Sequence, residues 1–184
     1  MNFVGIDYSL SCPCVSVINS DKFSESKIYY LTDRNNAAGF INKNCSILGI
    51  LHDEYFSEQE RYENIANWVL DIINGLQDRQ IYIAIEDYSF GSKGKVFHIA
   101  ENCGIMKYLL YKNDYDFFTI PPSVIKKFAT GKGNADKQKM YDAFVAETKM
   151  ELNKIVSPTT KLGSPTTDIV DAWYISQFIR HLVV

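Results

Sequence analysis

Two acids near the end of the chain, Asp168 and Asp171, have a spacing that could do chemistry. They sit in "SPTTDIVDAWYISQFIRHLVV", residues 164–184. This stretch reads as a helix: Ser164 or Thr167 can cap it, and Pro165 suits a first helical position. Three residues apart on a helix, the two acids share a face. That face also carries Ile175, Phe178, Ile179 and Leu182, whereas Gln177, Arg180 and His181 fall opposite. The carboxylates therefore continue the stripe expected to meet the core. A plain reading is that first-turn acids answer the helix dipole, which explains Asp168 more easily than Asp171. The chemical reading is that a cation lies between them, because two inward carboxylates otherwise repel.

A cation site needs more carboxylates, and two strand-like runs supply them. "NFVGID" ends in Asp7 and "IYIAIE" ends in Glu86. If these strands lie parallel and adjacent, both acids emerge at one sheet edge, about 4.8 Å apart between strand axes. Ligand sites in open α/β sheets lie beyond the carboxyl ends of strands. The last helix can cross that edge and bring Asp168 and Asp171. Four carboxylate side chains suit Mg²⁺ or Mn²⁺ rather than zinc or copper. Two such ions about 4 Å apart can activate a water and stabilise the leaving oxygen of a phosphodiester.

The elements that must position these acids follow from patterning. "CVSVIN" and "KIYYLT" continue the first strand as an antiparallel meander. "CSILGIL" is either a further strand or part of an insertion. Residues 57–76 read as a helix, with Ser57 as cap, Glu60 at the capping-box position and Gly75 near the end. Its buried stripe is Ile65, Trp68, Val69, Ile72 and Ile73. "IYIAIE" is apolar on both faces, as a central strand requires. A helix over "KVFHIAENCGIMKYLLYK", a strand "DFFTI", two helices over "SVIKKFAT" and "DKQKMYDAFVAETK", and a polar connection over residues 150–164 complete the order. The expectation is one α/β domain, residues 1–184, with a mixed five-stranded sheet flanked by helices.

Composition narrows the classes. The chain has 184 residues, 46% of them hydrophobic and 14% aromatic, which excludes a disordered chain. No apolar run reaches membrane-span length and no signal-peptide pattern opens the chain, so a cytoplasmic location is expected. Cys12, Cys14, Cys45 and Cys103 lack zinc-site spacing and read as reduced thiols. Net charge is −3, yet the lysines are clustered. Lys126, Lys127, Lys132, Lys137 and Lys139 fall in "KKFATGKGNADKQK", and Lys93 and Lys95 in "GSKGK". Such a cluster is by default a solvated face, and beside an acidic metal site it could hold phosphates.

On "GIDYSLS", "IAIEDYSF" and "TTDIVDAW" the chain resembles the RuvC-type Holliday junction resolvases, within the RNase H-like fold. The resemblance covers most of the chain. It implies that Asp7, Glu86, Asp168 and Asp171 are the metal-binding and catalytic acids, holding two Mg²⁺ per site, with Mn²⁺ as a substitute. "KFATGKGNADK" matches a family pattern of lysine, a Gly-x-Gly turn five residues on, and a second lysine heading the next helix. That implies a role in DNA backbone binding or transition-state charge for Lys137 and for Lys126, or for Lys127 in a shifted alignment. It also implies a homodimer about the helix beginning near Val96, whose apolar residues Phe97, Ile99, Ile105, Met106, Leu109 and Leu110 exceed the need of one sheet face. Gly104 would let two such helices approach.

There are departures. The family has a glycine soon after its first acid, where this chain has Tyr8, Ser9 and Leu10. It has an aromatic residue three positions after its Glu, where this chain has Ser89 between Tyr88 and Phe90. Residues 33–56 are longer than the usual connection. Such divergence is compatible with a phage-encoded member acting in the host cytoplasm.

The resulting expectation is a metal-dependent endodeoxyribonuclease that resolves four-way or related branched DNA by paired cuts. Lys93, Lys95, Lys126, Lys127, Lys132 and Lys137 would contact DNA, and Phe90 could stack on an exposed base or pack as a loop aromatic. Two other readings use the same residues: an RNase H-like nuclease for flaps or RNA–DNA hybrids, and a non-catalytic junction-binding protein. A nucleotide cofactor is not expected, because a sugar-kinase-type ATP site needs a glycine-rich turn that "DYSLS" lacks.

Overall fold

The structure is a computed structural model that describes residues 1–40, 46–78, 80–87, 96–156 and 161–184. Among these residues, seven strands form one sheet: β1 (Asn2–Asp7), β2 (Cys14–Ile18), β3 (Lys27–Thr32), β4 (Gly39–Phe40), β5 (Ser46–Leu51), β6 (Ile81–Glu86) and β7 (Phe117–Ile120). Their spatial order is β4-β5-β3-β2-β1-β6-β7. The meander β1–β2–β3 and the parallel pairs β1–β6 and β6–β7 supply the five expected strands. The count of five is corrected to seven. Residues 39–40 and 46–51 add two strands beyond β3, with β5 running parallel to β3 and β4 antiparallel to β5. The run "SILGIL" is thus a strand at the far side of the sheet, a choice its short apolar pattern left open.

The strand directions fix where the chain ends converge. β2 is antiparallel to β1 and to β3, so β1 and β3 run the same way. β5, β6 and β7 follow them. Five strands therefore deliver their carboxyl ends to one edge.

Among the described residues, six α-helices cover the faces: α1 (Glu58–Asn74), α2 (Val96–Lys112), α3 (Pro122–Thr130), α4 (Lys137–Thr148), the short α5 (Leu152–Ile155) and α6 (Thr166–Val183). α1 starts where expected, because the Ser57 hydroxyl accepts the Glu60 N–H at 3.1 Å. With α2 it packs one face of the sheet around Val4, Ile6, Ile65, Val69, Ile83 and Met106. α6 packs the other face across β1, β2 and β6, with α3 and α4 on its outer side. Among the described residues, no helix is long and apolar enough to cross a membrane.

α6 departs from the expected single stripe. It begins at Thr166, and Pro165 precedes it without a side-chain cap. Thr166 to Gln177 are all buried apart from the half-buried Asp171. Gln177, expected outward, is buried and donates to the Ser20 carbonyl at 3.5 Å. Leu182, expected inward, is 61% exposed. The cause is non-local: a helix held between a sheet and two other helices has no solvent face until it passes them.

Candidate active site

Asp7 and Glu86 are the last residues of β1 and β6, which pair parallel with Ile6 opposite Ile85. Both carboxylates leave the sheet at the same edge. α6 crosses this edge with Asp168 in its first turn and Asp171 one turn on. Gly5 sets how close the helix lies. A Cβ there would stand 2.3 Å from both the Ala172 carbonyl oxygen and the Ser176 N–H nitrogen, so a larger residue would displace α6. Below this contact the Ser16 and Ser176 hydroxyls bond each other at 2.9 Å, which satisfies two buried polar groups.

The four acids share one electrostatic environment. Burial pushes the Asp7 carboxyl well above the usual carboxylate range, and Glu86, Asp168 and Asp171 raise it further, against a pull from Lys137. Glu86 is pushed up to about 8, first by burial and then by Asp171, with Lys126 and Lys137 acting the other way. Asp171 is pushed up to about 7 by burial and Asp168, again opposed by Lys137 and Lys126. Asp168 is raised by burial, while Ser164, Lys137 and Cys12 hold it down. One Asp168 oxygen, Oδ2, is buried without a hydrogen-bond partner.

Such a cluster cannot be fully ionised near neutral pH without added positive charge. Its donors are all carboxylate oxygens, and one is buried and unpartnered, which fits a hard divalent cation such as Mg²⁺ or Mn²⁺. As the side chains stand, no group of three or more Asp, Glu, His or Cys among the described residues is gathered into a ready metal cage.

Two lysines reach the acids. Lys137 opens α4 behind its cap Asp136, and its Nζ donates to Thr167 Oγ1 at 3.3 Å. Its charge acts on all four carboxylates. Lys126, in α3, acts on Glu86 and Asp171. Lys127 is exposed, so Lys126 is the member of the pair turned to the acids. The turn between the helices has physical reasons for its glycines. Gly131 ends α3 in the left-handed region at φ 76°, and a Cβ on Gly133 would stand 3.0 Å from the Ser123 carbonyl. Lys132 is exposed in that turn, and Lys139 pairs with Asp136 at 3.5 Å. Phe90, Lys93 and Lys95 lie outside the described residues, as does Cys45.

Several residues here had no signal in the sequence. Thr167 was a candidate cap; it is instead a buried acceptor for Lys137. Ser164 and Cys12 both hold the Asp168 carboxyl down, although they belong to different turns. Cys12, Cys14 and Cys103 are free and buried. Burial first, then the neighbouring acids, pushes the Cys12 thiol up, which keeps it a thiol.

No protein-family model matches the chain, and no curated protein sequence matches it. Solved structures do. Thermus thermophilus RuvC is similar at a TM-score of 0.60 and 15% identity, over 99% of this chain and 96% of that one. T. thermophilus RuvC in complex with a Holliday junction substrate is similar at 0.60 and 13%, over 96% and 90%. The yeast mitochondrial Holliday junction resolvase Ydc2 is similar at 0.50 and 13%, over 94% and 75%. The chain thus has the RuvC-type, RNase H-like fold, with two strands added beside β3 to the five expected from its sequence.

Proposed function

We propose that residues 1–184 act as one nuclease unit: a divalent-metal-dependent, structure-specific endodeoxyribonuclease that resolves four-way or related branched DNA by paired phosphodiester hydrolysis. The observation that carries this reading is the convergence of Asp7, Glu86, Asp168 and Asp171 at one sheet edge, from the ends of β1 and β6 and the start of α6. The four acids would hold two Mg²⁺, or Mn²⁺ in its place, which when bound activate water and stabilise a leaving oxygen. Lys137, steadied by Thr167, would place positive charge where charge grows on the phosphate. The exposed Lys127 and Lys132, with Lys93 and Lys95, would bind backbone phosphates, and Phe90 would stack at the crossover.

Paired cuts need two sites, and a two-fold homodimer provides them. Support for a dimer through α2 comes from its outer side. Phe97, Tyr108 and Tyr111 are exposed there, and Gly104 has nothing within 4 Å of a built Cβ. Met106 and Leu110 do not contribute, because they are fully buried against the sheet. In a cell this activity belongs in the cytoplasm, or the host cytoplasm for a phage protein.

The test is to incubate the protein with Mg²⁺ and matched four-way, flap, duplex and RNA–DNA substrates and map the cuts. Symmetric paired cuts confined to the four-way substrate support the reading. Preference for flaps or hybrids replaces it with the RNase H-like alternative, and binding without cutting replaces it with the non-catalytic one.

A further inference from the structure

Three side chains, one after β3, one after β5 and one in α1, touch the turns that flank the acid edge. β3 leads into Arg34, and β5, parallel to it with Thr32 opposite Leu51, leads into His52. Both strands end on the side where Asp7 emerges. Arg34 Nη1 donates to the Ser164 carbonyl at 3.2 Å, in the turn just before α6. His52 Nε2 lies 3.2 Å from the Ser11 carbonyl, in the turn just after Asp7; the carbonyl can only accept, so the ring donates. Arg61, in the first turns of α1, donates from Nη2 to the neighbouring Leu10 carbonyl at 2.8 Å.

The two gripped turns flank the acids: one follows Asp7 at the end of β1, and the other precedes Asp168 in the first turn of α6. The Ser9 hydroxyl accepts the Cys12 N–H at 3.1 Å, and the Cys12 thiol lies close enough to Asp168 for each to shift the other's pKa. Ser164, on the other turn, also holds the Asp168 carboxyl down. Arg61 is costly in its position. Its side chain is 12% exposed, its Nε is buried without a partner, and Glu58 is 3.9 Å away. Its guanidinium also lies over the Tyr55 ring, 5.0 Å from the centroid. A nearly buried cation with one long ion pair is a poor source of stability. Its 2.8 Å bond to the Leu10 carbonyl instead ties α1 to the turn "YSLSC".

We propose that Arg61, His52 and Arg34 form a brace that positions Asp7 and Asp168. The three are positioning residues; none reaches the acids directly. The cleavage arm of this inference rests on the nuclease reading, and the cation-binding and exchange arms do not. Outer residues that orient ligating side chains are worth about 10- to 100-fold in metal affinity.

The experiment compares wild type with Arg61→Met, Arg61→Lys and the double variant His52→Ala/Arg34→Ala. It measures the Mn²⁺ dissociation constant by titration calorimetry, amide exchange over residues 8–12, and kcat and KM on a four-way junction. Arg61→Met should weaken Mn²⁺ binding about 10-fold, lower kcat about 10-fold and leave KM within about twofold. Arg61→Lys should recover most of the loss, because an ammonium can still donate to the Leu10 carbonyl. The double variant should show the same pattern at about threefold, and it carries the test if Arg61→Met does not fold. Exchange over residues 8–12 should quicken in each weakened variant. A folded Arg61→Met with wild-type Mn²⁺ affinity and wild-type exchange overturns the brace, even if its melting temperature falls. A wild-type protein that binds no Mn²⁺ overturns it too. A protein whose Mn²⁺ affinity depends on Arg61 but which cuts no junction keeps the brace and discards the nuclease reading.

Discussion

α1 and α6 have nearly the same length, 17 and 18 residues, and both carry acid in the first turn, yet they attach to the sheet in different ways. α1 is capped by Ser57, buries a stripe of Tyr62, Ile65, Ala66, Val69, Leu70 and Ile73, and leaves its first-turn acids half-exposed, with Glu60 accepting the Phe56 N–H. α6 lacks a side-chain cap, is buried on every side for three turns, and takes Asp168 into the interior with one oxygen unpartnered. Burial without compensation costs stability. The comparison teaches that α1 is placed for stability, and that α6 carries a cost which a bound cation would relieve.

The largest break in that comparison removes an acid. Asp7→Asn or Glu86→Gln should lower cleavage at least about 10³-fold while junction binding persists, because the lysine contacts remain. Full activity in either variant, measured by single-turnover cutting, removes these acids from the site. Next is Lys137→Ala, expected to lower kcat about 100-fold while junction affinity changes much less. Equal losses in both would make it an ordinary phosphate contact.

A third test reads the cost itself. Asp171 is pushed up to about 7 in the folded protein, so the fold keeps a proton that the unfolded chain releases near pH 4. Its contribution to stability is therefore full below about pH 4 and is lost as pH rises through about 7. In EDTA, Asp171→Asn should remove this loss and be more stable than wild type at pH 8 in urea unfolding. Mg²⁺ should narrow the gap. A variant less stable than wild type at pH 8 in EDTA contradicts the account. The smallest effect belongs to α1: Ser57→Ala should cost about 1 kcal/mol of stability and leave cleavage per folded molecule unchanged.

The parts legible in the sequence are those set by local pattern. The ends of β1 and β6 were visible as apolar runs closing in Asp7 and Glu86, and the two strands do run parallel at adjacent positions. α1 was visible from its cap and stripe. What stayed hidden depends on contacts between distant segments. The sequence could not choose between Lys126 and Lys127, because that choice depends on how α3 is rotated against α6. It placed Gln177 outside, because the 3.6-residue period knows nothing of α3 and α4. It saw Thr167 as a cap, because the Lys137 ammonium reaches it from 30 residues away. Arg34 and His52 gave no sign at all, since their acceptors are backbone carbonyls.

Gly5 has a mechanical consequence. It sits two residues before Asp7 on the same strand, about 7 Å away. The missing side chain at Gly5 is the seat on which α6 rests. One half of the acid cluster is therefore anchored, and the other half's depth is gauged, within a single rigid span of three residues. Acids more than 160 positions apart along the chain inherit their alignment from that short ruler, so distortions elsewhere in the sheet carry both halves together.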